Sequence, residues 1–232
     1  QNTMYFIANH PSYGLELWSS DGTGSGTNLL KDINSGSSSS QISKLTAAGT
    51  NLYFSAFDGV NGIEPWVSDG TESGTTLLRD LDNQSSFPDN FISKQDTIYF
   101  VAQNVGSSGR ELYKSDGTTN GTILVKDINP GPGGSGIENL TVVDNLLFFT
   151  ANNGTDGQEL YMSNGSLLGT KIVKEINPTA NLGVIRNLFS YNGRLYFAAN
   201  DSANGEELWV SDGTASGTNM LKDINQSILF SS

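Results

Sequence analysis

"ELWVSDGTASGTNMLKDIN", residues 207–225, is the last of five copies of one phrase. Successive copies start 47 or 48 residues apart, and the earlier four begin at Glu16, Glu64, Glu111 and Glu159. A regular period of this length is typical of propeller blades and solenoid repeats. The phrase therefore predicts that the whole chain is an array of one structural unit.

Each unit contains four short segments that favour β-strands, called A to D in chain order. They are typified by KLTAA (44–48), LYFSA (52–56), ELWVS (207–211) and LLKDI (29–33). Turn-forming residues separate these segments, and no segment has a helical period. Two-residue turns between A and B are predicted at Gly49-Thr50, Asp96-Thr97, Asp144-Asn145 and Asn192-Gly193. The sequence thus predicts an all-β fold, a five-bladed β-propeller with four antiparallel strands per blade.

The two chain ends favour a closed ring over a linear solenoid. Residues 2–9 already match strand B, so the first unit lacks its strand A. If the ends are joined, Leu229 falls eight residues before Tyr5, the spacing found between strands A and B in the inner units. A C-terminal strand that joins the N-terminal blade removes open sheet edges. The predicted repeats are 1–34, 35–82, 83–129, 130–177 and 178–225, with 226–232 as the closing strand.

The motif SDGTxxGT is predicted to fold the hairpin between strands C and D. Its Asp accepts backbone hydrogen bonds as an Asx turn, and the following Gly adopts a positive φ. The strand-C aromatic is expected to face a strand-D base in a cross-strand cation–π pair. These bases are Lys31, Arg79, Lys126, Lys174 and Lys222. The aromatics are read either as packing between blades or as a repeated sugar platform: Trp18, Trp66, Tyr113, Tyr161 and Trp209.

Composition excludes several functions. The net charge of −12 makes nucleic acid and acidic membrane surfaces poor partners. Calcium is possible, but 14 of the 24 acidic residues occupy three repeated positions, so the fold itself explains much of the charge. The chain has no cysteine and a single histidine, His10, which disfavours thiolate metal sites and repeated histidine catalysis. No stretch approaches the roughly 20 apolar residues of a membrane span.

The phrase closely resembles the ELWxxDGTxxGT repeat of large bacterial surface and secreted proteins. The match covers all five units. The resemblance implies an extracellular β-propeller module and brings no catalytic signature. Three residues depart from the pattern, namely Pro65, Asn164 and Ser166, so altered C–D hairpins are expected in units two and four.

Binding is expected on the face formed by the B–C and D–A loops, because these loops vary whereas the C–D turn repeats. The B–C loops share little beyond a Gly near their ends. The candidate ligand-binding residues there are Asn9, His10, Tyr13, Asp58, Asn61, Asn104, Asn153, Asp156, Asp201 and Asn204. Side chains of these types suit sugar hydroxyls or a hard cation.

The resulting hypothesis is a non-catalytic extracellular binding or adhesion module, with a glycan or cell-surface polysaccharide as partner and no required cofactor. A purely structural or assembly module of a larger surface protein or filament is the alternative, and a polysaccharide-acting enzyme is a weaker one. Because residue 1 is Gln rather than Met, a processed protein or an excised domain is expected.

Overall fold

The structure, a computed structural model, describes residues 3–177 and 185–224, which form nineteen β-strands and no helix. Sheet one comprises β1 (Met4–His10), β2 (Gly14–Ser20) and β3 (Asn28–Lys31). Sheet two comprises β4 (Ser43–Ala48), β5 (Asn51–Phe57), β6 (Ile63–Ser68) and β7 (Thr76–Leu77). Sheet three comprises β8 (Asp89–Lys94), β9 (Thr97–Asn104), β10 (Gly109–Ser115) and β11 (Ile123–Lys126).

Sheet four comprises β12 (Glu138–Val143), β13 (Leu146–Asn152), β14 (Gln158–Ser163) and β15 (Lys171–Lys174). Sheet five comprises β16 (Arg186–Tyr191), β17 (Arg194–Asn200), β18 (Glu206–Ser211) and β19 (Asn219–Lys222). Neighbouring strands follow one another in the chain, as in a meander of antiparallel strands. The predicted all-β class is confirmed, and the five sheets fit the five predicted blades.

The chain divides into two compact units. The first holds sheets one and two and the second holds sheets four and five, while the strands of sheet three are shared between them. Among the described residues sheet one has three strands, which are the predicted strands B, C and D of the first repeat. The predicted closing strand, 226–232, lies outside the described residues.

The predicted A–B turns are largely confirmed. The strand partners Ala48↔Asn51, Val143↔Leu146 and Tyr191↔Arg194 enclose the expected two-residue loops. In sheet three, however, Lys94 pairs with Thr97, so the turn is Gln95-Asp96, one residue earlier than predicted. Gln95 takes the positive φ of 56°. The β-branched Thr97 is disfavoured in that conformation and begins the strand instead.

Each sheet has two different faces. The leucine face carries the strand-C Leu (Pro65 in sheet two), and the aromatic face carries the strand-C Trp or Tyr. In the first unit the leucine face of sheet one, with Leu17, packs against Phe54 and Trp66 of sheet two. In the second unit Leu160 of sheet four packs in the same way against Phe197 and Trp209 of sheet five. Removing such apolar surface from water is the main stabilisation between neighbouring sheets.

Candidate functional site

The C–D hairpin is held by one hydrogen-bond pattern. In sheet one the hydroxyls of Ser20 and Thr27 lie 2.7 Å apart, and the Thr23 N–H and hydroxyl donate to Oδ1 of Asp21 at 2.9 and 2.7 Å. The predicted Asx turn is therefore confirmed. Hydrogen bonds from the Thr at the next-but-one position lower the pKa of the four turn aspartates, Asp21, Asp69, Asp116 and Asp212.

The second glycine of the motif has a role that the sequence did not reveal. A Cβ on Gly26 would overlap the carboxylate of Asp21, and the same holds for Gly74 and Asp69. The turn carboxylate thus occupies the space where a side chain would lie. This close approach, rather than a positive φ, requires glycine at that position.

The departures from the motif have unequal effects. Hairpin four, the turn from Asn164 to Gly169, was expected to be altered. It keeps the pattern, because the Ser166 N–H and hydroxyl donate to Oδ1 of Asn164 at 2.9 and 2.7 Å. That expectation is wrong, since an amide oxygen accepts these bonds as a carboxylate does. The hairpin of sheet two also keeps its turn, because the Thr71 N–H and hydroxyl donate to Oδ1 of Asp69 at 2.9 and 2.7 Å. What differs in the sheet that contains Pro65 is strand D, since β7 has two residues where the other D strands have four.

The Glu that opens each phrase fastens the D–A connection. Glu111 is fully buried, and its carboxylate accepts from the Ile128 N–H at 3.2 Å, the Asn129 N–H at 3.4 Å and the Ser135 hydroxyl at 2.6 Å. Glu16, Glu64 and Glu159 bind their own D–A segments in the same way. Burial raises the pKa of Glu111 to about 7 despite these bonds, and that of Glu64 likewise to about 7.

The strand-D base bridges two sheets rather than two strands. Nζ of Lys174 donates to the carbonyl of Thr218 at 2.7 Å, which lies in the hairpin of the next sheet. The same cation lies 5.6 Å from the ring centroid of Trp209, also in the next sheet. The prediction of a pair within one sheet is therefore wrong. Within its own sheet Lys174 is paired with Leu160, and the aromatic Tyr161 is paired with Ile172.

This bridge recurs within both units. The base donates to a backbone carbonyl of the following hairpin at 2.6–3.3 Å; the donors are Lys31, Arg79 and Lys126. Lys222 is exposed and makes no such bond with the described part of the chain.

The repeated aromatics differ in exposure. Four of them are buried, at 4–6% exposure: Trp66, Tyr113, Tyr161 and Trp209. Trp18 of sheet one is only partly buried. A ligand that stacks on the four buried rings would have to open a contact between sheets, whereas the described residues leave Trp18 partly exposed.

Three of the B–C loops share a pattern, contrary to our expectation that they share little beyond a Gly. Asp58 accepts from the Val60 N–H, the Asn61 N–H and the Asn61 side-chain amide at 2.6–2.9 Å. Asp201 and Asn204 repeat this arrangement, and Asn153 and Asp156 form it with the two residue types exchanged. These six candidate residues therefore serve to close their own loops. The spacing Asx-x-x-Asx-Gly is the signal that sequence reading missed.

The remaining candidates lie in sheets one and three. The Ser107 N–H donates to the carbonyl of Asn104 at 3.1 Å in a loop turn. Asn9 is exposed near the end of β1. Beside it, His10 stacks on Tyr13 with ring centroids 4.8 Å apart and lies 6.0 Å from Trp18.

We call His10, Tyr13 and Trp18 the aromatic cluster. All three side chains are partly exposed. Nδ1 of His10 accepts the Ser12 N–H at 3.2 Å, which leaves Nε2 as the other ring nitrogen for a ligand. The structure thus joins two residues of the predicted variable-loop site to one residue of the predicted repeated site.

The described residues 3–177 and 185–224 contain no group of three or more His, Cys, Asp or Glu side chains placed to hold a metal ion. Over the same residues no helix is long and apolar enough to cross a membrane.

Comparison with known proteins gives likenesses in structure only. No family model and no curated protein matches the sequence significantly. A prolyl endopeptidase structure superposes with a TM-score of 0.55 at 12% identity, covering 94% of this chain and 34% of that one. A puromycin hydrolase gives a TM-score of 0.54 at 12% identity, with the same coverage.

The β-propeller domain of the trilobed protease from Pyrococcus furiosus is also similar, with a TM-score of 0.48 at 12% identity, covering 94% of this chain and 66% of that one. A similarity at this TM-score does not by itself establish a shared fold. The chain spans about one third of the length of the two hydrolytic enzymes. At such identities the likeness to the endopeptidase and the hydrolase concerns the fold alone.

Proposed function

We propose that the chain is a non-catalytic, extracellular binding or adhesion module that binds a glycan at the aromatic cluster. The observation that carries the proposal is the partly exposed stack of His10 on Tyr13. The ring closure proposed below would lay sheet five over Trp18, so the ligand is expected on the His10–Tyr13 stack, with Trp18 as its neighbour in the sheet. Aromatic rings offer rigid apolar faces with polar edges, which match the C–H faces and hydroxyls of a sugar ring. Nε2 of His10 offers a polar group for a hydroxyl beside those faces.

The buried glutamates support a non-catalytic role. A carboxyl whose pKa is raised to about 7 is the usual candidate for a general acid, and Glu64 and Glu111 have this property. Both side chains are fully buried, and backbone N–H groups and a serine hydroxyl occupy their oxygens. They are therefore assigned to holding the D–A segments.

The structural alternative also has support. Nearly every polar residue of the repeated phrase bonds within its hairpin, within its D–A segment or to the next sheet. A rigid spacer or assembly unit needs no more than this. The resemblance to the bacterial surface repeat supports the extracellular location that we propose.

A glycan array tests the function, with the wild-type protein, Tyr13→Ala and Val60→Ala as its three arms. Val60 lies 86% exposed in the B–C loop of sheet two, so Val60→Ala is a control for loop substitution. We expect one glycan class to bind wild type and Val60→Ala, and to bind Tyr13→Ala roughly tenfold more weakly. The array is run with and without calcium.

Each other outcome has a definite meaning. Absence of binding in both conditions supports the structural alternative, and hydrolysis of a bound polysaccharide supports the enzyme. Titration with the bound glycan is expected to show one site. A stoichiometry of five sites with equal affinity would instead indicate that the glycan binds at the repeated aromatics.

We further propose that the five sheets close into a five-bladed propeller, in which 226–232 completes sheet one as its fourth strand. The leucine face of sheet five is not covered by any described residue, yet its interface positions are apolar. These positions are Leu208, Leu221 and Ile224. Deleting 227–232 is expected to lower the melting temperature by several degrees or more. Ser231→Ala is the control, and an unchanged melting temperature of the deletion would disprove closure by this strand.

A further inference from the structure

Hairpin four differs from the other C–D hairpins at its tip. Leu167 and Leu168 are 61% and 92% exposed. The corresponding tips are small or polar in every other sheet: Gly24-Ser25, Glu72-Ser73, Thr119-Asn120 and Ala215-Ser216. Two adjacent leucines in water are thus a property of this hairpin and not of the repeat.

The hairpin itself does not need these leucines. The hydroxyls of Ser163 and Thr170 lie 2.7 Å apart, and the Gly169 N–H donates to Oγ of Ser166 at 3.0 Å. The hairpin of sheet five has the same bonds at 2.7 and 2.9 Å with Ala215-Ser216 at its tip. The hairpin therefore holds both leucines in water, and their side chains contribute nothing to the hydrogen bonds that stabilise the turn.

The charge around this tip is also unusual for a chain of net charge −12. No acidic residue occurs from 160 to 174, because Asn164 replaces the Asp of the other hairpins. Lys171 is exposed at the foot of the hairpin. Elsewhere each hairpin carries at least one turn carboxylate, whose pKa is lowered by its hydrogen bonds. Hairpin four is therefore the one C–D hairpin whose tip presents apolar side chains and whose turn carries no negative charge.

Two kinds of partner would cover such a tip, a shaped protein pocket or a lipid surface. Stable protein interfaces bury about 800 Å² per partner and centre on Trp, Tyr or Arg, whereas leucine is under-represented among their hot spots. The residues that flank Leu167 and Leu168 in the chain, 163–166 and 169–171, are Ser, Asn, Gly, Thr and Lys, so the hairpin itself does not extend the apolar patch. A bilayer accepts a narrow apolar projection without a matching shape, and a lysine at its base can reach the headgroups.

We propose that the tip of hairpin four inserts into a zwitterionic lipid surface through Leu167 and Leu168. The negative charge of the rest of the chain opposes an anionic membrane, so the headgroups should be neutral overall. Insertion of two side chains is shallow, and the contact is weak and reversible for a single copy. It gains strength only when many copies are held on one surface.

Co-sedimentation with phosphatidylcholine vesicles at millimolar lipid tests the proposal. The variants are Leu167→Ser combined with Leu168→Ser, and Ala215→Ser as a matched control in the hairpin of sheet five. We expect wild type and Ala215→Ser to bind equally, and the double variant to partition at least about tenfold more weakly. Because serine occurs at the other tips, the double variant should fold, and its far-ultraviolet circular dichroism and melting temperature verify this.

A gain-of-function variant makes the test independent of any loss of folding. Ala215→Leu combined with Ser216→Leu gives sheet five a second apolar tip and should increase partitioning. Equal sedimentation of wild type and the folded double variant would overturn the proposal. So would failure of wild type to bind phosphatidylcholine while it self-associates or binds a protein through the same leucines.

Discussion

Sheets four and five have nearly the same sequence pattern but very different burial. Leu160, Val173 and Ile176 of sheet four are 0%, 6% and 5% exposed. Their counterparts in sheet five, Leu208, Leu221 and Ile224, are 41%, 52% and 71% exposed. The difference arises because sheet five covers the leucine face of sheet four, whereas no described residue covers that of sheet five. Whether these apolar side chains are buried thus depends on the presence of a neighbouring sheet and not on the repeated sequence.

The largest effect should come from truncating the paired leucines. Leu160→Ala should lower the free energy of unfolding by about 2–5 kcal/mol, because it leaves a cavity between two sheets. If the ring closes as we propose, Leu208→Ala should cost nearly as much, although its side chain is exposed to the described residues. Urea unfolding of both variants makes the comparison, and a Leu208→Ala curve identical to wild type would mean that sheet five stays uncovered in solution.

A second prediction contrasts buried glutamates with exposed turn aspartates. Folding raises the pKa of Glu64 and Glu111 from 4.5 to about 7, so the folded chain holds protons there that the unfolded chain releases. The free energy of unfolding should therefore fall as the pH rises from about 4.5 to 7, by about 1.4 kcal/mol per pH unit for each fully titrating group. The turn aspartates have lowered pKa values, so their stabilisation is lost at more acidic pH.

Maximum stability is therefore expected near pH 4–5, and urea unfolding between pH 3 and 8 measures it. Glu111→Gln should be less stable overall. Between about pH 4.5 and 7 its free energy of unfolding should also depend less steeply on pH, by the contribution of about one titrating proton. A stability that rises steadily from pH 5 to 8 would contradict the assignment.

A third prediction compares one glycine in two sheets. Gly70 has a positive φ of 89°, and a Cβ there would meet the Tyr5 hydroxyl of the preceding sheet. Gly22 has nearly the same φ, 93°, but a Cβ there would meet no atom within 4 Å in the described structure. Backbone strain alone should make Gly22→Ala cost about 1–2 kcal/mol, and the contact with Tyr5 should make Gly70→Ala cost roughly 1 kcal/mol more. If the ring closes as we propose, sheet five also brings a ring to Gly22, and the two losses in chemical unfolding should be equal. A smaller loss for Gly22→Ala would contradict closure.

The smallest expected effect concerns the bridging cations. Lys174→Met should cost about 0.5–1.5 kcal/mol, because it removes the bond to the Thr218 carbonyl and the contact with Trp209. Lys171→Met, at an exposed position, is the control and should change stability by less than about 0.5 kcal/mol. Lys222→Met should resemble Lys174→Met if sheet five has a covering neighbour and resemble Lys171→Met if it does not. Thermal unfolding of the three variants separates these cases.

Local patterns in the sequence predicted the fold well. The four strands of sheets two to five, three of the four A–B turns and the Asx turn at Asp21 were correctly predicted, because turn residues and strand residues act over a few neighbours. The bridging role of Lys174 was not predictable, since its partners Thr218 and Trp209 belong to the next sheet and lie far from it along the chain. The function of the buried Glu111 was also missed, although its repetition in every unit was visible. Its partner Ser135 lies 24 residues away, and only the folded D–A segment brings the two together.

The candidate site shows the same division. The sequence by itself determined which residues are variable, which are aromatic and which recur, and it correctly placed Tyr13 in a loop and Trp18 in a strand, whereas His10, predicted in the loop, is the last residue of β1. Only the tertiary structure decided that these three rings meet while the loop pairs Asp58–Asn61 and Asp201–Asn204 close on themselves. It also decided that Leu160 is buried whereas Leu208 is not. The physical reason is that hydrogen-bonded turns are chosen by adjacent residues, whereas burial and ring stacking depend on surfaces that the chain brings together from distant positions.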